Sequence, residues 1–592
     1  MARADDFMLT AEEIRLRTRK RRIIAIVALA LVLLIALGFF GARPATNMIT
    51  AWQARRHAQK AFAYIDQEKW PDAHKEAGAA YQLYPTEPQA LRAVARFLSR
   101  THQIGALDFW KQLAEKSSLT HQDLRDEAMV AIIASDAARA DTSVHALLAS
   151  HPEPEDWLLA AQLSIQKNLP EEAKQYLAKI VDDPHATESE QFRATVLQFA
   201  LAGDNQTEKA NAVTRLKKIA KGKTAASLDA LVVLAQNALS APAESNDSGA
   251  AHDIAELARA LENHPLAKAQ HKLLALDLLA HVDPKLRPAL IARAIANWKD
   301  AEPADAVMLG DWLNGKGEFQ KTLDVIPLKK ARQSSDLFLR HLDALGGLGR
   351  WEEIKQLLDS ERFLLDPVSG AMYLARCNSQ LREEIAAENN WQRALEAAQG
   401  DVGRQLTLAQ YAMKNGNTAI AEAAYNDVAA KSPRLRVAQD GRLLIAQTGH
   451  DTKKLHTVLA QMLSLWPNDP AIQNDEAYTR LLLLPADANE TRREAAAIEQ
   501  VAQKLLEREP TSLPHRTLLA LARLRQGRAA DALNVYNNVR VAQNALSGSA
   551  LAVHAAVLAG TAHPQDAKTE VAQIKPEQLL PEERSLIKTL LD

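Results

Sequence analysis

A single cysteine, Cys377, stands among 592 residues. One thiol excludes an intramolecular disulfide and a zinc site built from several cysteines of the same chain. It lies in the apolar run around Tyr373 and Leu374, where a buried, inert thiol is expected. Aromatic residues are also scarce, 5% against 47% hydrophobic overall. The apolar fraction must then be largely Ala and Leu, which favour helix and let helices approach closely. Neither sign of charge is in excess. Lys plus Arg number 71 and Asp plus Glu 73, for a formal net charge of -2, so no global basic surface for nucleic acid exists.

Catalytic and metal-binding motifs are missing too. The 17 histidines include no His-Glu-x-x-His and no pair at i, i+4, so no helix presents two imidazoles to a metal. No Gly-x-Ser-x-Gly elbow occurs. Gly346-Gly347-Leu348-Gly349-Arg350 is dense in glycine but lacks the Lys-Ser or Lys-Thr ending of a phosphate-binding loop, and a turn between helices is expected there. The adjacent carboxylates Glu171-Glu172, Glu352-Glu353 and Glu582-Glu583 suit the first turn of a helix, where negative charge complements the dipole. Trp70, Trp351 and Trp391 are expected at the start of helices, plugging gaps between successive structural units. No catalytic, cofactor-binding or metal-ligating residue is therefore assigned, and no enzyme is expected.

One long hydrophobic run is present. Ile23 to Phe40 holds no charge over about 18 residues, near the lower limit for a helix that crosses a bilayer. The run exceeds the apolar core of a cleaved secretory signal, and Gly41-Ala42-Arg43-Pro44 is a poor cleavage site. A single uncleaved anchor is the reading. Arg15, Arg17, Arg19, Lys20, Arg21 and Arg22 precede it closely, whereas Arg43, Arg55, Arg56 and Lys60 come after it more sparsely. By the positive-inside rule the N-terminus stays cytoplasmic and the remainder is exported, which in a bacterium means the periplasm.

Beyond the anchor the chain is periodic. Ala73, Ala77, Ala80 and Pro85 form a ladder that returns at Ala140, Val144, Leu147 and Pro152 and at Ala421, Tyr425, Val428 and Pro433. Residues at i, i+4, i+7 share one helix face, and a repeat period of about 34 residues marks units of two helices. Gly317, Gly349, Gly416 and Gly527 each stand five residues before a residue where two helices would cross (Thr322, Ile354, Ala421, Ala532). Each is expected to end a first helix in a left-handed conformation ahead of a tight turn.

Small residues where helices cross, Gly at the turn and Pro at the end resemble the tetratricopeptide repeat family, over most of residues 50–575 and in about nine units. The resemblance implies an all-α fold, an α-solenoid of helical hairpins forming a superhelix, and the uncharged run adds one transmembrane helix ahead of it. The expected segments are a basic cytoplasmic stretch, 1–22; the transmembrane helix, 23–40; an N-terminal solenoid, 41–240; a loop with degenerate helical repeats, 241–300; and a C-terminal solenoid, 301–592. Ala241 to Gly249 has the composition of a mobile joint. Pro581 to Lys588 reads as a charged amphipathic helix closing the stack.

The same resemblance implies a groove lined mainly by first helices. Proteins or peptides are its expected partners, with the membrane held through Ile23 to Phe40 and neither nucleic acid nor a small cofactor expected. The functional expectation is a single-pass envelope scaffold for assembly, export or chaperone-like handling. Two alternatives are a helical toroid carrying a hydrolytic or carbohydrate-active site and an adaptor facing the cytoplasm.

Overall fold

The left-handed turn expected after each first helix is the feature that organises the molecule. In the computed structural model, Gly317, Gly349, Gly416 and Gly527 have φ of +77, +72, +79 and +78°. Each lies two residues beyond the end of a helix, namely Pro303–Gly315, Ser335–Gly347, Val402–Lys414 and Leu513–Arg525. Four residues with side chains take the same place: Glu68, His102, Arg382 and His450, with φ between 51 and 63°. In all eight turns the next backbone N–H reaches back five residues to a helix carbonyl, as Glu318 does to Leu313 (2.9 Å) and Glu383 to Asn378 (2.8 Å). That bond satisfies a carbonyl the helix end would leave bare. In most of these turns the donor residue also caps the second helix, so three residues connect the two.

The structure describes residues 48–134, 136–167, 169–203, 205–240, 248–361, 364–485, 489–537, 546–561 and 563–591. These residues are helical with short connections and hold no strand. Ile23 to Phe40 lies outside them. Among the described residues no helix is long and apolar enough to cross a membrane.

The ladders are the faces on which hairpins close. Ala73, Ala77 and Ala80 are buried, as are Ala140, Val144 and Leu147, and Ala421, Tyr425 and Val428. In the hairpin Pro88–Arg100 and Ala106–Ala114, Trp110 stands where the Ala73 ladder has a small residue. It is fully buried, with its indole N–H on Ser99 Oγ at 2.8 Å. The bulk is accommodated because the polar edge of the ring finds a partner.

The chain forms two compact units, Met1–Gln166 and Lys167–Asp592. In the first, helices 48–66, Trp70–Leu83, Pro88–Arg100, Ala106–Ala114, His121–Ile133, Ala137–Ala149 and Pro154–Gln166 succeed one another. Each packs on its successor in sequence from Trp70 onward, and first helices also pack on first helices: Pro88–Arg100 on His121–Ile133, and that on Pro154–Gln166. The second unit repeats the rule, with Ala225–Ser240, Ala269–Val282, Pro303–Gly315 and Ser335–Gly347 touching in that order. Contacts that run mainly between near neighbours are the mark of a quasi-one-dimensional, solenoid-like stack.

Several local expectations are corrected. Of the joint expected at Ala241 to Gly249, residues 241–247 lie outside the described residues, while Ser248 and Gly249 already open the helix Ser248–Asn263. Gly346 and Gly347 belong to a helix, not to the turn. A Cβ on Gly347 would meet the Phe319 ring at 2.4 Å, so glycine is there to let that ring seat on the backbone. Trp391 does not start a helix. It lies mid-way along Glu384–Ala398 and is buried, whereas Trp70 and Trp351 do begin helices. The helix that carries the crossing residue Ala532 is short, Ala529–Asn534.

The closing helix is broken. Pro581–Leu586 and Lys588–Leu591 meet at Ile587, which is buried with Leu579 against Leu551, Ala555, Val571 and Ile574. Leu580 and Leu586 border a second apolar cluster around Leu481 and Leu518. Burying apolar residues on two sides packs the segment on the last hairpin, Gly548–Ala559 and Pro564–Val571, as expected of a closing element, and also draws it back to Pro470–Leu483.

Candidate binding surfaces

Because first helices pack on first helices, side chains one turn apart on one of them meet side chains on the next. Arg92, Arg96 and Arg100 stand at i, i+4, i+8 of Pro88–Arg100 and face Asp123 and Asp126 of His121–Ile133. Arg92 Nε donates to Asp123 Oδ2 (2.8 Å), Arg96 Nη2 to Asp123 Oδ1 (2.9 Å) and Arg96 Nε to Asp126 Oδ2 (3.1 Å). Arg100 Nε is 3.0 Å from Asp126 Oδ1. One hairpin on, Arg125 Nε donates to Asp156 Oδ1 (2.6 Å), and His121 Nε2 lies 2.9 Å from Asp156 Oδ2.

The carboxylates are buried and the guanidinium groups only partly so. Planar Arg forks suit this pairing, and each shared carboxylate ties two cations to one neighbour. Burial raises the Asp126 carboxyl, with Arg100 and Arg96 opposing it. Burial pushes Asp156 the same way, but the hydrogen bonds from Arg125, the Glu153 N–H and His121 outweigh it and hold the carboxyl below its usual range. This first unit therefore presents a charge ladder already neutralised within the protein.

In the second unit an aromatic cluster takes the equivalent place. Tyr373 Oη, on Pro367–Gln380, donates to Asp343 Oδ1 of Ser335–Gly347 at 2.7 Å. Its ring stacks on Tyr411 with centroids 5.7 Å apart, and the Arg376 guanidinium lies 5.0 Å from the centre of the Trp351 ring. Burial raises the Tyr411 phenol to about 12, with Arg376 pulling against it. Cys377 lies on the same helix as Tyr373. Burial pushes its thiol up to about 12, the inert behaviour expected of it.

The third surface belongs to the last repeats. Tyr478 Oη donates to Glu583 Oε1 at 2.7 Å, and Thr452 hydrogen-bonds Glu582. Both acidic residues stand in the first turn of Pro581–Leu586, as Glu171-Glu172 and Glu352-Glu353 do in theirs. A cavity of about 450 Å³ opens beside this contact, bordered by Leu455, Leu459, Asn474, Asp475, Tyr478 and Leu580. Among the described residues no group of three His, Cys, Asp or Glu could hold a metal ion.

None of these residues stands out as a site in the sequence. The Arg92, Arg96, Arg100 stripe is a readable signal, since like charges at i, i+4 repel on an isolated helix and call for opposite charges on a neighbour. The aromatic cluster carries no such signal, because its members are about 30 residues apart and look like ordinary core positions.

No family model and no curated relative matches the chain. Similar solved structures include the hetero-tetramer of Cut9 and Hcn1 from the APC/C, at 12% identity over 90% of this chain and 95% of that one, with a TM-score of 0.25. Naa15/Naa10 bound to HypK-THB is similar at 13% identity over 94% and 96%, TM-score 0.31. The human IFIT1 dimer with m7Gppp-AAAA is similar at 14% identity over 74% and 93%, TM-score 0.26. Scores this low leave the repeat to be recognised by the hairpin geometry above.

Proposed function

We propose that this protein is a single-pass membrane-anchored scaffold whose helical hairpins bind partner proteins or peptides, in envelope assembly, export or chaperone-like handling. The observation that carries the reading is the succession of first helices packed on first helices, which lines up side chains of many repeats on one surface in each unit. A repeating polypeptide partner matches such a surface, with each contact contributing a little and the sum giving specificity. The uncharged run Ile23 to Phe40 and the cations ahead of it support a cytoplasmic N-terminus with the repeats on the far side of the membrane.

Crosslinking in intact cells, with a reagent that does not cross the inner membrane, tests both parts. The expected result is a small, reproducible set of captured proteins. Labelling confined to broken cells contradicts the orientation, and labelling of this chain without any captured protein contradicts the scaffold.

A further inference from the structure

The cavity in the last repeats sets two carboxylates among uncharged polar groups, the amides of Gln447 and Gln578 and the hydroxyls of Ser547 and Ser549. Its carboxylates are Asp475 and Glu583, His450 also lines it, and among the described residues no Lys or Arg borders it. Glu583 is already satisfied, taking the Tyr478 hydroxyl on Oε1 and the Leu580 N–H (2.8 Å) on Oε2. Asp475 is not. It accepts from the Asn474 side-chain amide (3.0 Å) and makes no ion pair among the described residues. Asn474 is only 4% exposed, yet its Oδ1 has no hydrogen-bond partner. A buried amide oxygen left without a partner is costly, so a carboxylate and a carbonyl together ask for a donor. Thr517 and Thr479 already give their hydroxyl protons to backbone carbonyls, which leaves their oxygens to act as acceptors. Leu455, Leu459 and Leu580 supply an apolar wall beside these acceptors.

We propose that the cavity binds an alkyl-guanidinium or alkyl-ammonium group, the end of an arginine or lysine side chain carried by a partner polypeptide. The charged head meets Asp475 and Asn474 Oδ1, and the methylene stem lies along the leucines. Burial raises the Asp475 carboxyl, with the Asn474 hydrogen bond and His515 opposing it, and an entering cation acts in their direction. The assignment to a polypeptide rests on the scaffold reading. The assignment to a cation rests on the cavity alone.

The test is calorimetric titration of the full-length protein with Nα-acetyl-arginine methylamide, with agmatine as the free amine and Nα-acetyl-citrulline methylamide as the uncharged isostere. The arginine probe should bind at one saturable site, at least about tenfold tighter than citrulline, and Asp475→Asn should remove that advantage. Asn474→Asp, which adds a second carboxylate, should tighten binding. Equal affinity for citrulline, no loss in Asp475→Asn, or a Kd above about 10 mM overturns the cation site. Agmatine binding far tighter than the capped residue overturns the polypeptide assignment. Failure of these titrations with crosslinked partners still captured sinks the cavity and spares the scaffold. Success without captured partners does the reverse.

Discussion

Gly441 and Gly78 both lie inside helices, yet a methyl group would meet opposite surroundings at the two positions. At Gly441 an added Cβ falls 2.4–2.6 Å from the Tyr425 ring, which is held by its own burial in the ladder Ala421, Tyr425, Val428. Gly441→Ala should therefore destabilise the protein by roughly 1–3 kcal/mol through overpacking. At Gly78 nothing lies within 4 Å, so Gly78→Ala should stabilise by about 0.5–1 kcal/mol through restricted backbone freedom. Urea denaturation monitored by circular dichroism reads both, and the same sign at the two sites contradicts the packing account. The turn glycines were legible in the sequence because their spacing to the crossing residue repeats. Glu68, His102, Arg382 and His450 were not, since a side chain in the left-handed region leaves no mark in composition.

At the scale of the helix, neighbouring elements impose the chemistry of residues between them. His341, on Ser335–Gly347, places Nδ1 2.8 Å from the Ile326 carbonyl, just past the end of Phe319–Val325. Burial lowers its pKa below 6.5, and although the carbonyl and Glu353 oppose the shift, Arg350 adds to it. The unfolded chain then binds the proton more readily, so stability falls as pH drops through about 6.5 and levels off below the folded pKa. Chemical denaturation at pH 7.5 and 5.5 should show a smaller loss in His341→Gln than in the natural protein. An equal or larger loss would show that His341 contributes nothing to acid sensitivity.

Most helices are readable as elements because alanine and leucine recur at helical intervals, between Phe192 and Asp300 as elsewhere. The closing segment reads as one charged amphipathic helix because Glu582, Glu583, Arg584 and Lys588 flank the apolar pair Leu586 and Ile587. At its break Ile587 is buried against Leu551, Ala555, Val571 and Ile574 of the hairpin before it, partners that no pattern within the segment records.

For the whole chain, the stacking of hairpins was legible in its period, whereas the polar surfaces were not. They depend on which faces two first helices turn toward each other, as when Asp123 meets Arg92 and Arg96. A scaffold should use those first helices for contact and leave second helices outside. Met308 and Leu444 are partly exposed apolar residues on first helices, at 37% and 49%, and Ile385 is 82% exposed on a second helix. Photoreactive amino acids placed singly at the three positions in living cells test this arrangement most directly. The account predicts discrete protein adducts from positions 308 and 444 and none from 385; adducts from 385 alone, or equally from all three, would contradict it.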